Sequence, residues 1–235
     1  EAIGVDYVDF YLMHCQNKDL FKKYRDCLAY EEAFKLKEEG LIRHVGFSFH
    51  DKANVLDEIL TTYPEIEFVQ IQFNYLDYEM QDAKKQYEEL TKRNISVVVM
   101  EPVRGGMLAN VNKEAEDTLK SIRPDKSIAS WALRYVADFP NIKVILSGMS
   151  NMEQLADNIN TFTNYEPLTD TDRIAIDKAK KLILGSDFIP CTGCRYCMPC
   201  KFGVNIPTLF ARFNNYGIHK NERQIGRTFC RNDQG

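Results

Sequence analysis

The 235-residue sequence has no excess of basic residues, with 30 Lys and Arg against 34 Asp and Glu and a formal net charge of −4. Without a basic face there is no electrostatic footprint for nucleic acid, so no nucleic-acid partner is expected. No apolar run approaches the ~20 residues of a membrane-spanning helix, so no membrane partner is expected either. The opening residues Glu1-Ala2-Ile3-Gly4-Val5-Asp6 lack the charged-then-apolar pattern of a secretory signal. No G-x-G-x-x-G fingerprint follows any strand-like run, which counts against an open dinucleotide-binding sheet. Three of the seven cysteines, Cys15, Cys27 and Cys230, are scattered with no spacing that suggests a disulfide framework. Together these absences predict a reducing, cytoplasmic setting.

What is present is ordinary for a soluble globular chain, 44% hydrophobic and 27% charged. Its length suits one barrel-sized domain and a small appendage. Strand and helix signals alternate. Strands are predicted at residues 7–12, 44–47, 68–71, 95–100 and 144–146, from runs of β-branched and aromatic residues. The run Ile95-Ser96-Val97-Val98-Val99-Met100 is apolar enough for a strand covered on both faces. The first intervening helix is expected to face inward with Leu28, Ala33, Phe34 and Leu36 and to stop at Gly40. Asp51 is expected to cap a second helix carrying Ala53, Leu56, Ile59 and Leu60. Tyr87 and Leu90 mark a third, Ser127 is expected to cap one containing Trp131, Leu133 and Val136, and Leu155 and Ile159 mark the last.

Five β–α units in series imply an α/β fold with a parallel sheet. Polar residues stand at every strand end: His14, Ser48, Gln72 with Asn74, Glu101, and Ser147 with Gly148. That distribution favours a barrel, whose site is assembled from many strand ends, over an open sheet with one switch point. A closed (β/α)8 TIM barrel has eight strands. The expectation is therefore a partial TIM barrel over residues 1–185, lacking its first three β–α units, followed by a small ferredoxin-like segment over residues 186–235. Two unpaired strand edges would be templates for association, so this chain alone is expected to be inactive and to self-associate.

The C-terminal segment carries the sharpest chemical signal. Cys191, Cys194, Cys197 and Cys200 follow one another with two residues between each pair. A short loop can fold such thiolates around an iron–sulfur cluster, whereas structural zinc sites usually separate two cysteine pairs by a longer spacer. A [4Fe–4S] cluster is the favoured occupant. The spacing departs from the bacterial ferredoxin run, which has three residues before its last cysteine and proline after it; here the gap is two and Lys201 follows. Cys200 is either the fourth ligand or a ligand to a second cluster, and Cys230 is a substitute.

At this point a family resemblance emerges. The run Gly4-Val5-Asp6-Tyr7-Val8-Asp9-Phe10-Tyr11-Leu12-Met13-His14 resembles a strand of the aldo/keto reductases. So do Ile42 through Ser48, Gln70 through Asn74, and Gly148-Met149-Ser150 with Glu153, Gln154 and Asn158, in the family's order. The cysteine run followed by Gly203-Val204-Asn205-Ile206-Pro207 resembles the subfamily with a C-terminal ferredoxin-like segment. The resemblance implies carbonyl reduction by NADP or NAD as hydride carrier, with a small carbonyl substrate and an electron-transfer protein as a second partner. It implies that His14 is catalytic, polarising the substrate oxygen, while the Asp, Tyr and Lys of the family's catalytic set have no counterpart here. It implies that Ser48 and Gln70 hold the nicotinamide carboxamide and that Met100 stands where many members stack a tyrosine. Gly105 lies in a turn that approaches the pyrophosphate, and Gly148, Ser150, Gln154 and Asn158 wrap the adenosine end. Asn151 and Gln154 occupy places where a basic residue would hold a 2′-phosphate. The alternative reading is a non-catalytic iron–sulfur electron-transfer or binding module on a reductase-like barrel.

Overall fold

The computed structural model of the chain describes residues 4–185, 189, 191 and 197–219. In chain order the elements are β1 (Val8–Gln16), α1 (Lys18–Asp26), α2 (Ala29–Glu38), β2 (Ile42–Phe49), α3 (Ala53–Thr62), β3 (Phe68–Gln72), α4 (Asp77–Met80), α5 (Ala83–Lys92) and β4 (Ser96–Met100). They continue with a 3-10 turn (Met107–Ala109), α6 (Lys113–Ile122), α7 (Ile128–Ala137), β5 (Ile142–Ile145), α8 (Met152–Thr163), α9 (Asp170–Leu184) and α10 (Ile206–His219). The described residues form two compact units, one within 4–105 and 132–167 and one within 106–131 and 168–219.

The first unit holds a five-stranded parallel sheet in the order β1-β2-β3-β4-β5. Each strand lies beside its neighbour in sequence, as in a barrel wall; a doubly wound sheet would reverse its order at a switch point. The pleat sends alternate side chains to opposite faces. Val45, Phe47 and Phe49 of β2, Val69 and Ile71 of β3, and Val97 and Val99 of β4 are all buried against the helices. They share one core with Tyr30 and Ala33 of α2, Leu56, Ile59 and Leu60 of α3, and Leu90 of α5. Burying such side chains is worth about 1.5–3 kcal/mol each, which makes this face the main source of the unit's stability.

The opposite face is lined by Phe10, Leu12, His44, Gly46, Ser48, Phe68, Gln70, Gln72, Val98 and Met100. Toward the strand starts it is aromatic: the Phe10 ring stacks on His44 at 5.0 Å and meets Phe68 edge-on at 5.5 Å. Gly46 makes room for this layer, since a Cβ there would fall 2.4 Å from the Phe68 carbonyl oxygen and 2.7 Å from its ring. Behind the layer, the Glu67 carboxylate accepts from Lys37, from the Val45 N–H at 3.1 Å, and pairs with His44 Nδ1 at 2.9 Å.

Several local expectations meet corrections. The first helical stretch breaks in two at Leu28, which adopts φ 57° and is 62% exposed, so it does not face inward with Ala33. Gly40, at φ 77°, does end α2. Asp51 does not cap α3: Lys52 holds that position without a side-chain cap. The Asp51 carboxylate instead accepts the backbone N–H groups of Lys18 at 2.9 Å and Lys52 at 2.8 Å, joining the loops that follow β1 and β2. The Ser127 hydroxyl accepts the Ser130 N–H at 3.0 Å at the start of α7, as expected. Ile159 of α8 is 56% exposed.

In the second unit α6 packs along α9. Arg123 makes two bonds of 2.8 Å to the Asp172 carboxylate, which also closes a capping box with Thr169 at the start of α9. Burial pushes the Asp172 carboxyl up, but Arg123 and the Thr169 donors outweigh it and hold the group well below the usual carboxylate range. No helix of the described residues is long and apolar enough to cross a membrane.

Candidate active site

The strand ends of the first unit bring the candidate residues into one row. Met13 pairs with Phe47 and Gln16 with Phe49, so β1 spends three residue steps where β2 spends two. The extra residue is a β-bulge at His14 and Cys15 opposite Ser48. Cys15 takes φ 57°, a conformation costly for a side chain with a Cβ. The Ser48 hydroxyl accepts the Cys15 N–H at 2.7 Å and stabilises that turn. A bulge re-aims the side chains beside it, and this one changes the facing of β1. Before it Met13 is buried on the helix side; after it Gln16 is, where Tyr30 donates to it at 2.8 Å. His14, at the turn, is exposed.

Ser48 pairs in register with Gln70, which pairs with Val98. Adjacent strands lie about 4.8 Å apart, so His14, Ser48 and Gln70 form a polar row two strand spacings wide. The Gln70 side-chain Nε2 contacts Met100 Sδ at 3.3 Å. The Ser48 hydroxyl accepts from Cys15, which leaves its proton to donate, and Gln70 donates through Nε2, which leaves Oε1 as an acceptor; one donor and one acceptor are the groups that a nicotinamide carboxamide would need. The residues present therefore fit the head of the cofactor, and the Met100 thioether is suited to pack on its ring.

Beside the row, β4 runs into a turn with unusual backbone. Glu101, Arg104 and Gly105 have φ of 57°, 49° and 61°. A Cβ on Gly105 would meet nothing nearer than Glu101 Oε2 at 3.7 Å, so one side of this turn is open to approach. The last of the sites lies at the start of α8. Asn151 caps the helix, accepting the Gln154 N–H at 2.9 Å, while Gln154 Oε1 accepts the Ser150 N–H at 2.8 Å and its hydroxyl at 3.2 Å. Asn158 donates to the Ser147 hydroxyl at 2.9 Å, and Gly148 is exposed with open space where a Cβ would be. The residues at this helix start are Asn151, Met152, Glu153 and Gln154.

Two groups here carried no signal in the sequence. His50, just after β2, donates its backbone N–H to the Gln16 carbonyl at 2.9 Å. Burial lowers its pKa, and His14 lowers it further, which places two imidazoles at one corner of the site. Asp77, the first residue of α4, is fully buried. Only the fold shows that both stand near the row, because they lie outside the strand-end pattern.

The cysteine segment is described in part. Cys191 and Cys200 are partly buried, Cys197 is exposed, and Cys194 lies outside the described residues. Among the described residues no group of three or more His, Cys, Asp or Glu side chains is arranged to hold a metal ion. Asn214 of α10 brackets Ile189, accepting its N–H at 2.8 Å and donating to its carbonyl at 2.7 Å, just ahead of Cys191.

Residues 1–181 match the profile of the aldo/keto reductase family. This chain belongs to that family. It is 27% identical over 201 residues to the uncharacterized oxidoreductase YqkF of Bacillus subtilis (strain 168), covering 76% of this chain and 62% of that protein. It is 26% identical over 187 residues to the NADH-specific methylglyoxal reductase of Escherichia coli (strain K12), covering 68% and 55%. Among solved structures, the holo form of the aldo-keto reductase AKR11C1 from Bacillus halodurans superposes with a TM-score of 0.56 at 27% identity, covering 77% of this chain and 64% of that one. The chain thus spans between 55% and 64% of the length of these relatives. The α/β parallel sheet and these neighbours fit a (β/α)8-barrel type of fold.

Proposed function

We propose that this chain supplies the nicotinamide-binding part and the catalytic histidine of a cytoplasmic oxidoreductase that reduces small carbonyl compounds. The observation that carries this reading is the register pairing of Ser48 with Gln70, a donor–acceptor pair suited to a carboxamide, with the exposed His14 imidazole in the bulge opposite Ser48. When bound, the reduced nicotinamide supplies the hydride that the carbonyl carbon receives. Ser48 and Gln70 fix the carboxamide and so select which ring face points at the substrate. His14 donates a hydrogen bond to the substrate oxygen, stabilising the negative charge that builds there. The proton that completes the alcohol comes from a group to which no residue of this chain is assigned.

NADH is the expected carrier. Asn151 and Gln154 are neutral and Glu153 between them is acidic, so residues 151–154 offer no cation to a 2′-phosphate dianion. The NADH-specific relative supports the same choice. Methylglyoxal is accordingly the first substrate to test. His14→Ala is expected to lower carbonyl-dependent NADH oxidation by about a hundredfold or more in the active enzyme containing this chain. An unchanged rate would remove His14 from the mechanism.

A second reading concerns the cysteine segment, and its regular spacing favours it. Cys191, Cys194, Cys197 and Cys200 are proposed to ligate a [4Fe–4S] cluster that meets an electron-transfer protein or fastens the C-terminal segment. About four iron and four sulfide per chain after anaerobic purification, lost in Cys200→Ala, would support it. Stoichiometric zinc without iron would refute it.

A further inference from the structure

We propose that Asp77 is a positioning residue for the cofactor: with Asn74 it clamps the turn Glu101–Gly105, and so sets the end of β4 beside the nicotinamide row. The inference rests on the function proposed above, and it assigns a role to a buried carboxylate that the proposed chemistry does not use.

Asp77 and Asn74 are both 0% exposed, at the C-terminal end of the sheet. Asp77 Oδ2 accepts from Gln72 Nε2 at 2.7 Å and from Asn74 Nδ2 at 2.6 Å. Asn74 Oδ1 accepts the N–H groups of Leu76 at 3.0 Å and Asp77 at 2.9 Å, which fixes its amide so that Nδ2 points outward from the turn. Nδ2 then also reaches the Glu101 carbonyl at 3.0 Å, an oxygen that accepts the Arg104 N–H at 3.0 Å as well. Asp77 Oδ1 has no aligned hydrogen bond, and Arg104 Nε stands 3.2 Å from it as counter-charge.

The clamp therefore grips the turn at both ends, at the Glu101 carbonyl and at the Arg104 side chain. Between those grips Glu101 and Arg104 hold positive φ, which residues with a Cβ keep only when surrounding contacts over-determine them. The residue before the turn is Met100, whose sulfur contacts Gln70, and whose carbonyl accepts the Phe73 N–H at 3.2 Å. A turn released from Asp77 would relax toward ordinary backbone and carry Met100 and the open side at Gly105 away from the cofactor. The two side chains that donate to the carboxylate, Gln72 of β3 and Asn74 of the loop that follows it, are neutral, so Arg104 is the cation that faces the Asp77 charge.

The test is amide hydrogen exchange on this chain with and without saturating NADH, in wild type, Asp77→Asn and Arg104→Lys. Asp77→Asn keeps the shape and removes the charge. Loss of a charge-assisted bond is expected to speed exchange at residues 101–105 by on the order of tenfold or more. NADH protection of this turn and of Ser48 and Gln70 should shrink together, with Arg104→Lys intermediate. Unchanged exchange at 101–105 in Asp77→Asn would show that there is no clamp. Faster exchange with undiminished NADH protection would make the clamp structural only and overturn the proposal. A wild-type chain that NADH protects nowhere would refute the functional reading itself, and with it the positioning role, while the unliganded exchange rates still report the clamp.

Discussion

The two ends of the same sheet face are built on opposite principles. Toward the strand starts, Phe10, His44 and Phe68 stack in a layer that Gly46 admits and Glu67 ties to the backbone. Toward the strand ends, the same pleat presents His14, Ser48 and Gln70, and the chain there accepts positive φ at Cys15 and Glu101. One end is filled with ring surface in ordinary conformations. The other stores backbone strain and carries polar groups, with His14 exposed, Gln70 half-buried and Ser48 buried. A barrel fold concentrates stability at one end of its strands and chemistry at the other, and this sheet shows that division within three strands.

Substitutions can break either side of the contrast. The largest effect is expected from Gly46→Val at the filled end, where the added side chain meets the Phe68 backbone. A loss of about 3 kcal/mol in unfolding free energy, read by urea denaturation, follows from overpacking against an unyielding carbonyl. Next, Ser48→Ala removes the acceptor of the Cys15 N–H and should cost about 1–2 kcal/mol. The same variant should lower turnover by turning His14 away. A Ser48→Ala protein with normal stability and rate would show that the bulge holds itself.

Smaller still is the acid response of Glu67. Burial pushes its carboxyl up, but the bonds from Lys37, His44 and the Val45 N–H pull it below its ordinary value. Its contribution is therefore complete above the unfolded pKa of ~4.3 and is lost as pH falls through the lower folded value. Glu67→Gln should lose about 1 kcal/mol at neutral pH and flatten the acid limb of the stability profile in that window, since the group is partly screened by solvent. The smallest effect is on His50. With burial as the main cause and His14 the second, His14→Ala should move the His50 titration upward, as followed by proton NMR. No movement would separate the two imidazoles.

Much of the fold was legible because it rests on period and composition. The apolar run ending in Met100 reads as a strand covered on both faces and is a strand, with Val97 and Val99 buried and Ser96, Val98 and Met100 half-buried on the other face, and the polar residues punctuating each strand end pointed to barrel-like assembly. The breaks were not legible. Leu28 looks like a helix-core residue in any periodicity, yet the backbone reverses there and exposes it. Asp51 has the right chemistry and position for a cap but spends its carboxylate on two loop amides. In the candidate site, His14 and Ser48 stand at strand ends that can be counted in the sequence, whereas Gln70, in the middle of β3, is singled out only by the family resemblance. The bulge that aligns them could not be read there, since it depends on a one-residue mismatch between β1 and β2. Asp77 was hidden for a similar reason: its partners Asn74 and Arg104 are 3 and 27 positions away, and only the fold brings them together.

The most direct test of the account is a fluorescence titration of NADH into this chain, comparing wild type with one variant from each end of the sheet face, Gln70→Ala and His44→Ala. The account predicts saturable binding that weakens by about tenfold in Gln70→Ala, through loss of the carboxamide acceptor, and is unchanged in His44→Ala. Equal affinity in all three proteins, or a loss confined to His44→Ala, would place the cofactor away from the strand ends and contradict it.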